Sequence, residues 1–242
     1  MAGVAAVNLP VLLLRNAAFY LVFYFGSLFI TSAALLVRIW SEDSFRRIVR
    51  RWSRYHRWCV RWLIGCELRI EGAPLDEPVL YAVKHESFFE AIDAPALFDL
   101  PSVFAKQQLF RIPLWGRAAL AFGLIPVARE AKAKALMHMI REARGMTAAG
   151  RPLVLFPEGT RVPHDTAPPL QAGFAGLYKA LALPVVPVAV DSGPAYHRWL
   201  KRPLPITYRF SEAIPPGLAR AEAEERVWIG MNALNSLSSP RT

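Results

Sequence analysis

His85 is followed five positions later by a carboxylate, Glu90, within the run Lys84-His85-Glu86-Ser87-Phe88-Phe89-Glu90. An imidazole titrates near neutral pH. An acid bound at one ring nitrogen sets its tautomer and steadies the charged ring when the other nitrogen takes a proton. Further along, Phe156-Pro157-Glu158-Gly159-Thr160-Arg161 spaces proline and glycine as a tight turn requires and ends on a guanidinium. Glycine lets backbone N–H groups approach an anion, and arginine grips a phosphate through two parallel hydrogen bonds. Turn formation accounts for the proline and glycine but not for Glu158 and Arg161. The chemistry on offer is proton abstraction beside an anion-binding corner.

These residues need a frame. After Gly65, short β-rich runs at 68–70, 79–83, 103–105, 124–127, 153–156, 185–190 and 206–210 alternate with helix-like segments, notably 130–147, 173–181 and 219–237. Such alternation predicts an α/β fold, a mixed central sheet flanked by helices. His85 then falls at a strand end facing a helix start. Ser87 and Glu90 have the spacing of a capping box, Ser87 at the N-cap and Glu90 at N3, which bends the carboxylate back toward His85. That cap also explains Ser87 structurally, so it is not read as a nucleophile. The Pro-rich stretch 162–169 is predicted to be a mobile loop beside the turn. Cys59 and Cys66 lie outside both blocks and read as reduced, apolar thiols.

The front of the chain is different. Residues 16–37 are 22 uncharged, mostly apolar residues, roughly 33 Å of helix, against about 30 Å for a hydrocarbon core. Only Arg15 precedes them, whereas Arg38, Arg46, Arg47, Arg50, Arg51, Arg54, Arg57 and Arg61 follow. This bias predicts an uncleaved anchor with the downstream chain on the cytoplasmic face. Next comes an amphipathic helix with Ser41 as N-cap and Glu42 and Asp43 in its first turn. Phe45, Ile48, Trp52, Tyr55, Cys59 and Trp62 form one stripe, with arginines opposite. That pattern predicts a helix in a bilayer interface, its arginines on anionic headgroups; the alternative is a helix that packs its stripe on the globular body. The domain reading is therefore 1–64 for membrane anchoring and 65–242 for the catalytic body. A composition of 54% hydrophobic residues, a net charge of +10 and a pI near 10.1 fit an anionic membrane surface. Nucleic acid is the poorer partner for a basic helix directly behind an apolar span.

The two blocks together resemble those of the glycerolipid acyltransferases, above all the lysophosphatidic acid acyltransferases. Those enzymes carry a histidine, four residues and an acid, then Phe-Pro-Glu-Gly-Thr-Arg or a close variant. Two weaker stretches agree: Lys106 to Gly116 leading to Ile125-Pro126-Val127-Ala128-Arg129, and Val186-Pro187-Val188-Ala189-Val190. The likeness spans roughly residues 80–190. It implies His85 as general base and Glu90 as its orienting partner. It also implies an acceptor site drawn from Lys106, Arg129, Glu158, Gly159, Thr160 and Arg161. The implied reaction moves a fatty acyl chain from acyl-CoA or acyl carrier protein to lysophosphatidic acid, giving phosphatidic acid, with no cofactor and no metal. Another lysolipid or glycerol 3-phosphate as acceptor, or an inactive lipid-binding scaffold, are the alternatives. In relatives the first helix can also enter one leaflet and return as a hairpin. The chain departs from the common pattern with Lys84 in place of asparagine and Glu90 in place of aspartate.

Overall fold

The computed structural model describes residues 8–128 and 132–236. Its seven strands are β1 (Leu68–Glu71), β2 (Leu80–Val83), β3 (Ser102–Lys106), β4 (Ile125–Val127), β5 (Leu153–Leu155), β6 (Val185–Val190) and β7 (Ile206–Phe210). They form one sheet in the order β1-β7-β6-β2-β5-β3-β4. The run from β6 to β4 is parallel, and β7, with β1 alongside it, is antiparallel to β6. The sheet is therefore mixed, as predicted. Each strand anticipated from a β-rich run is present.

Helices cover both faces, so the central strands are apolar throughout rather than alternating with polar residues. Every residue of β2 and β6 is buried. Alternate residues divide between two cores. Tyr81, Val83, Val186 and Val188 pack with α1 (Leu9–Val37), α2 (Glu42–Cys59) and α3 (Phe89–Leu97). Leu80, Ala82, Leu153 and Leu155 pack with α5 (Lys132–Ala148), α6 (Gly173–Leu181) and α8 (Arg220–Met231), while the short α7 (Gly193–Tyr196) follows β6. The smaller α4 (Trp115–Phe122) joins the far ends of α1 and α2 through Phe122, Ala34 and Phe45. On the second face α8 lies close against β6. A Cβ at Gly230 would sit 2.6 Å from the Pro187 Cβ, so only glycine permits that approach.

The amphipathic α2 forms as anticipated, with the Ser44 N–H on the Ser41 hydroxyl at its N-cap. The direction of its apolar stripe is a correction. Rather than facing a bilayer interface, Phe45 and Cys59 are fully buried, Trp52 bonds Ser27 on α1, and the Tyr55 hydroxyl bonds the Val22 carbonyl. A helix beside another long apolar helix loses more water-exposed area by packing on it than by lying apart, so the stripe turns inward as far as Cys59, while Trp62 at its end stays exposed. The helix continues as a short π-helix, Val60–Ile64, and stops at Gly65, whose φ of +93° suits glycine. Phe19, Phe23, Cys59, Val60 and Ile64 share one core with the sheet, so the expected boundary at 64/65 runs through a common interior.

α1 is the one helix among the described residues long and apolar enough to cross a membrane. Protein contacts recur along it: Arg15 bonds the Ile64 carbonyl, Asn16 exchanges hydrogen bonds with the Lys201 backbone, and Ala34 packs near Phe122. The opposite face is bare, with Leu14 72% and Phe29 70% exposed.

Candidate active site

The C-terminal ends of parallel strands are where α/β sheets present ligand-binding loops. His85 lies just beyond β2, and the 156–161 turn lies just beyond the adjacent β5. The two are clamped together. The His85 backbone N–H donates to Glu158 Oε2 at 2.8 Å, and the Val162 N–H donates to the His85 carbonyl at 2.8 Å. The imidazole also stacks on the Phe156 ring, centroids 4.2 Å apart at 26°. Histidine and turn are thus one rigid unit.

Glu90 sits in the first turn of α3, fully enclosed. Its Oε1 accepts the Glu86 N–H at 3.0 Å and the Ser192 hydroxyl at 2.6 Å. The Ser87 N–H reaches both oxygens at 3.2 Å, and the Ser87 hydroxyl lies 3.1 Å from Oε2. The glutamate half of the expected capping box is therefore formed. The Ser87 hydroxyl, however, takes the Phe89 N–H at 3.0 Å, one residue earlier than the box requires. Glu90 Oε2 stands 3.9 Å from His85 Nδ1, an ion-pair separation longer than a hydrogen bond. Burial pushes the Glu90 carboxyl up to about 7, and the Ser192 hydrogen bond pulls against that rise.

The turn itself is closed by the Gly159 N–H on the Phe156 carbonyl at 2.9 Å, with Gly159 at φ +72°. Thr160 and Arg161 are exposed at its tip. The Arg161 guanidinium carbon lies 3.8 Å from the centroid of the Phe88 ring. A guanidinium laid flat on an aromatic face keeps its in-plane N–H donors available for a planar oxyanion. Glu158 points the other way, buried, with Oε1 3.2 Å from Lys84 Nζ and Oε2 on the His85 N–H. Lys106 is exposed at the C-terminal end of β3, separated from β2 by β5 on the same sheet edge. Arg129 lies outside the described residues.

The 162–169 segment, expected to be mobile, is tied down. His164 Nδ1 lies 3.0 Å from Glu86 Oε1, and Lys84 Nζ donates to the Thr166 carbonyl at 2.8 Å. Trp228 and Ser236, from the end of the chain, bond Pro168 and Asp165. Prolines remove donors, so side chains from other elements satisfy the loop's carbonyls instead. Ser192, Glu86, His164 and Asn232 were not picked out from sequence. Ser192 had one usable signal: a small polar residue two positions after a wholly apolar strand. Both cysteines are buried free thiols pushed up to about 11 by burial, unsuited to nucleophilic work.

Comparison with known proteins fits this geometry. Over 231 residues, 89% of each chain, the protein is 25% identical to the 1-acyl-sn-glycerol-3-phosphate acyltransferase of Pseudomonas aeruginosa. It is 29% identical over 164 residues to the enzyme of that name from Limnanthes alba, covering 65% of this chain and 57% of the plant protein. In fold it is similar to the crystal structure of the 1-acyl-sn-glycerophosphate acyltransferase PlsC from Thermotoga maritima. The TM-score is 0.71 at 21% identity, over 92% of this chain and 95% of that one. The acyltransferase family model matches residues 67–191, from the start of the sheet to the end of β6 and holding both blocks of the site. The chain belongs to the acyltransferase family.

Proposed function

We propose that the protein transfers a fatty acyl chain from a thioester, acyl-CoA or acyl carrier protein, to the free hydroxyl of lysophosphatidic acid, forming phosphatidic acid. The observation that carries this reading is the clamp between His85 and the 156–161 turn, which joins a proton acceptor to an anion-binding arginine in one unit. Its supports are the acyltransferase family match and the names of the relatives.

In this scheme His85 Nε2 takes the proton from the acceptor hydroxyl as its oxygen attacks the thioester carbonyl. Glu90, on the Nδ1 side, steadies the imidazolium. Collapse of the tetrahedral adduct breaks the C–S bond, and the imidazolium returns its proton to the departing thiolate. No protein nucleophile intervenes. Arg161, with Thr160 and the Gly159 backbone beside it, takes the phosphate; Lys106 supplies further charge from the same sheet edge, and Arg129 joins them in this reading. The bare face of α1 is far larger than a soluble surface leaves uncovered, so lipid covers it. Exposed arginines on α2, including Arg47, Arg51 and Arg54, meet anionic headgroups on the cytoplasmic side. An acceptor that partitions into lipid then meets a donor arriving from water.

The test is product analysis with purified protein, labelled acyl-CoA or acyl carrier protein, and a panel of acceptors. Phosphatidic acid from lysophosphatidic acid is the expected product. Acylation of glycerol 3-phosphate alone would move the acceptor assignment. No product from any acceptor, with saturable binding to phosphatidic acid vesicles, would leave only a scaffold. Replacing Arg161 by alanine is expected to raise the acceptor KM about tenfold or more, with little change in the donor KM. Equal effects on both constants would remove Arg161 from the phosphate site.

The pH dependence follows from Glu90. Its folded value lies above the ordinary 4.5, so the fold favours the neutral acid. That stabilisation is complete below about 4.5 and is lost as pH rises through about 7. The ionised form is the one that steadies an imidazolium, so kcat/KM is expected to climb through an acid limb near 7. Ser192→Ala removes a donor to the carboxylate and is expected to move the limb to higher pH. A limb unmoved in that variant would mean another group sets it.

A further inference from the structure

We propose that Lys84 is a positioning residue for His85, acting through Glu158 and fastening the 162–169 loop to the end of β2. Lys84 is wholly buried, and three acceptors use the three N–H bonds of its ammonium. They are Glu158 Oε1 at 3.2 Å, the Thr166 carbonyl at 2.8 Å and Asn232 Oδ1 at 2.7 Å. Its own backbone N–H is held by the Val188 carbonyl at 3.0 Å, so its base is fixed in the sheet. The other oxygen of Glu158 receives the His85 N–H. The ammonium and the catalytic backbone thus pull on opposite ends of one carboxylate.

The charge balance points the same way. Glu86, Glu90 and Glu158 are all buried around the His85 segment, and burial pushes each carboxyl up. Lys84 draws Glu86 and Glu158 back toward the ionised form in which they accept hydrogen bonds. A buried lysine–glutamate pair adds little net stability, because desolvation offsets the attraction. What it adds here is placement. The network extends to the end of α8, where Asn235 bonds both Thr166 and Asn232, and the Ser236 N–H bonds Asp165.

The inference rests on the acyltransferase reading above, so its test carries a measurement that needs no turnover. The full chain is compared as wild type, Lys84→Met, Glu158→Gln and the double variant. Acyl transfer to lysophosphatidic acid and hydrogen exchange in peptides covering 84–90 and 162–169 are both followed. Lys84→Met leaves the buried Glu158 charge bare and is expected to lower kcat roughly 30-fold, with the acceptor KM within about twofold. Exchange should quicken in both peptides. The double variant should recover most of kcat and slow exchange again in 84–90, because glutamine still accepts the His85 N–H and no bare charge remains, while 162–169 stays open because methionine gives the Thr166 carbonyl no donor. Wild-type kcat and exchange in Lys84→Met would overturn the proposal. So would a double variant as slow as the single one and as open in 84–90. A loss that tracks only the folded fraction, with kcat per folded molecule intact, would overturn it too. If wild type forms no product on any acceptor, the functional reading fails instead, and the exchange data alone decide the role of Lys84.

Discussion

His85→Ala is expected to lower kcat for acyl transfer by about 10²–10⁴-fold, with both KM values close to those of the wild type. In barrier terms this is about 3–5 kcal/mol. The reason lies in what the substitution removes and what it leaves. The contacts that clamp residue 85 to the turn run through its backbone N–H and carbonyl, and alanine keeps both. Lost are the imidazole and its stacking on Phe156, worth about 1 kcal/mol of stability for a mostly buried ring. The folded site and its phosphate corner should therefore survive while the proton acceptor does not. Steady-state kinetics alongside thermal melts check this. Near-normal turnover in a well-folded His85→Ala protein would end the general-base mechanism. Glu90→Gln should cost less, since the amide oxygen still accepts from the helix start but carries no charge to steady the imidazolium.

Arg57→Ala should be the most damaging change outside the site. Its guanidinium makes a paired contact with Asp93, Nε to Oδ1 at 2.5 Å and Nη2 to Oδ2 at 2.8 Å. Asp93 is fully buried, and the arginine side chain is 25% exposed. Removing one partner strands a carboxylate in the interior, which costs about 3 kcal/mol even after some screening at the arginine. For a chain of this size that is about 10 °C in melting temperature. Asp93 lies one turn beyond Glu90 on α3, and the Ser53 hydroxyl of α2 bonds the Ile92 carbonyl in the same turn. The N-terminal helices therefore brace the helix that carries Glu90. Arg57→Ala combined with Asp93→Asn should regain most of the loss. An Arg57→Ala protein melting at the wild-type temperature in detergent would show that the arginine contributes only at the membrane surface.

The central strands β2 and β6 were legible as apolar runs, because a strand covered on both faces tolerates few polar residues, whereas edge strand β1 is largely exposed and showed only as a short β-rich run. His85, Glu90 and Arg161 were legible because chemistry restricts which side chains can move a proton or grip a phosphate. What the sequence could not show was direction. The apolar stripe of α2 is the same whether it meets lipid or protein, and only the presence of α1 alongside decided that it faces inward. Glu158 stood in the same six-residue block as Arg161, yet the two diverge at Gly159, one turned toward Lys84 and the other toward solvent. Lys84 meets Asn232, and Ser192 meets Ser87 and Glu90, across long stretches of chain, only when β2, β6 and α8 are brought together. Local rules of periodicity and residue chemistry thus determined the elements and the candidate site residues. The partners of the buried charges were decided by tertiary packing, since a charge deprived of water must find its counterpart across the fold.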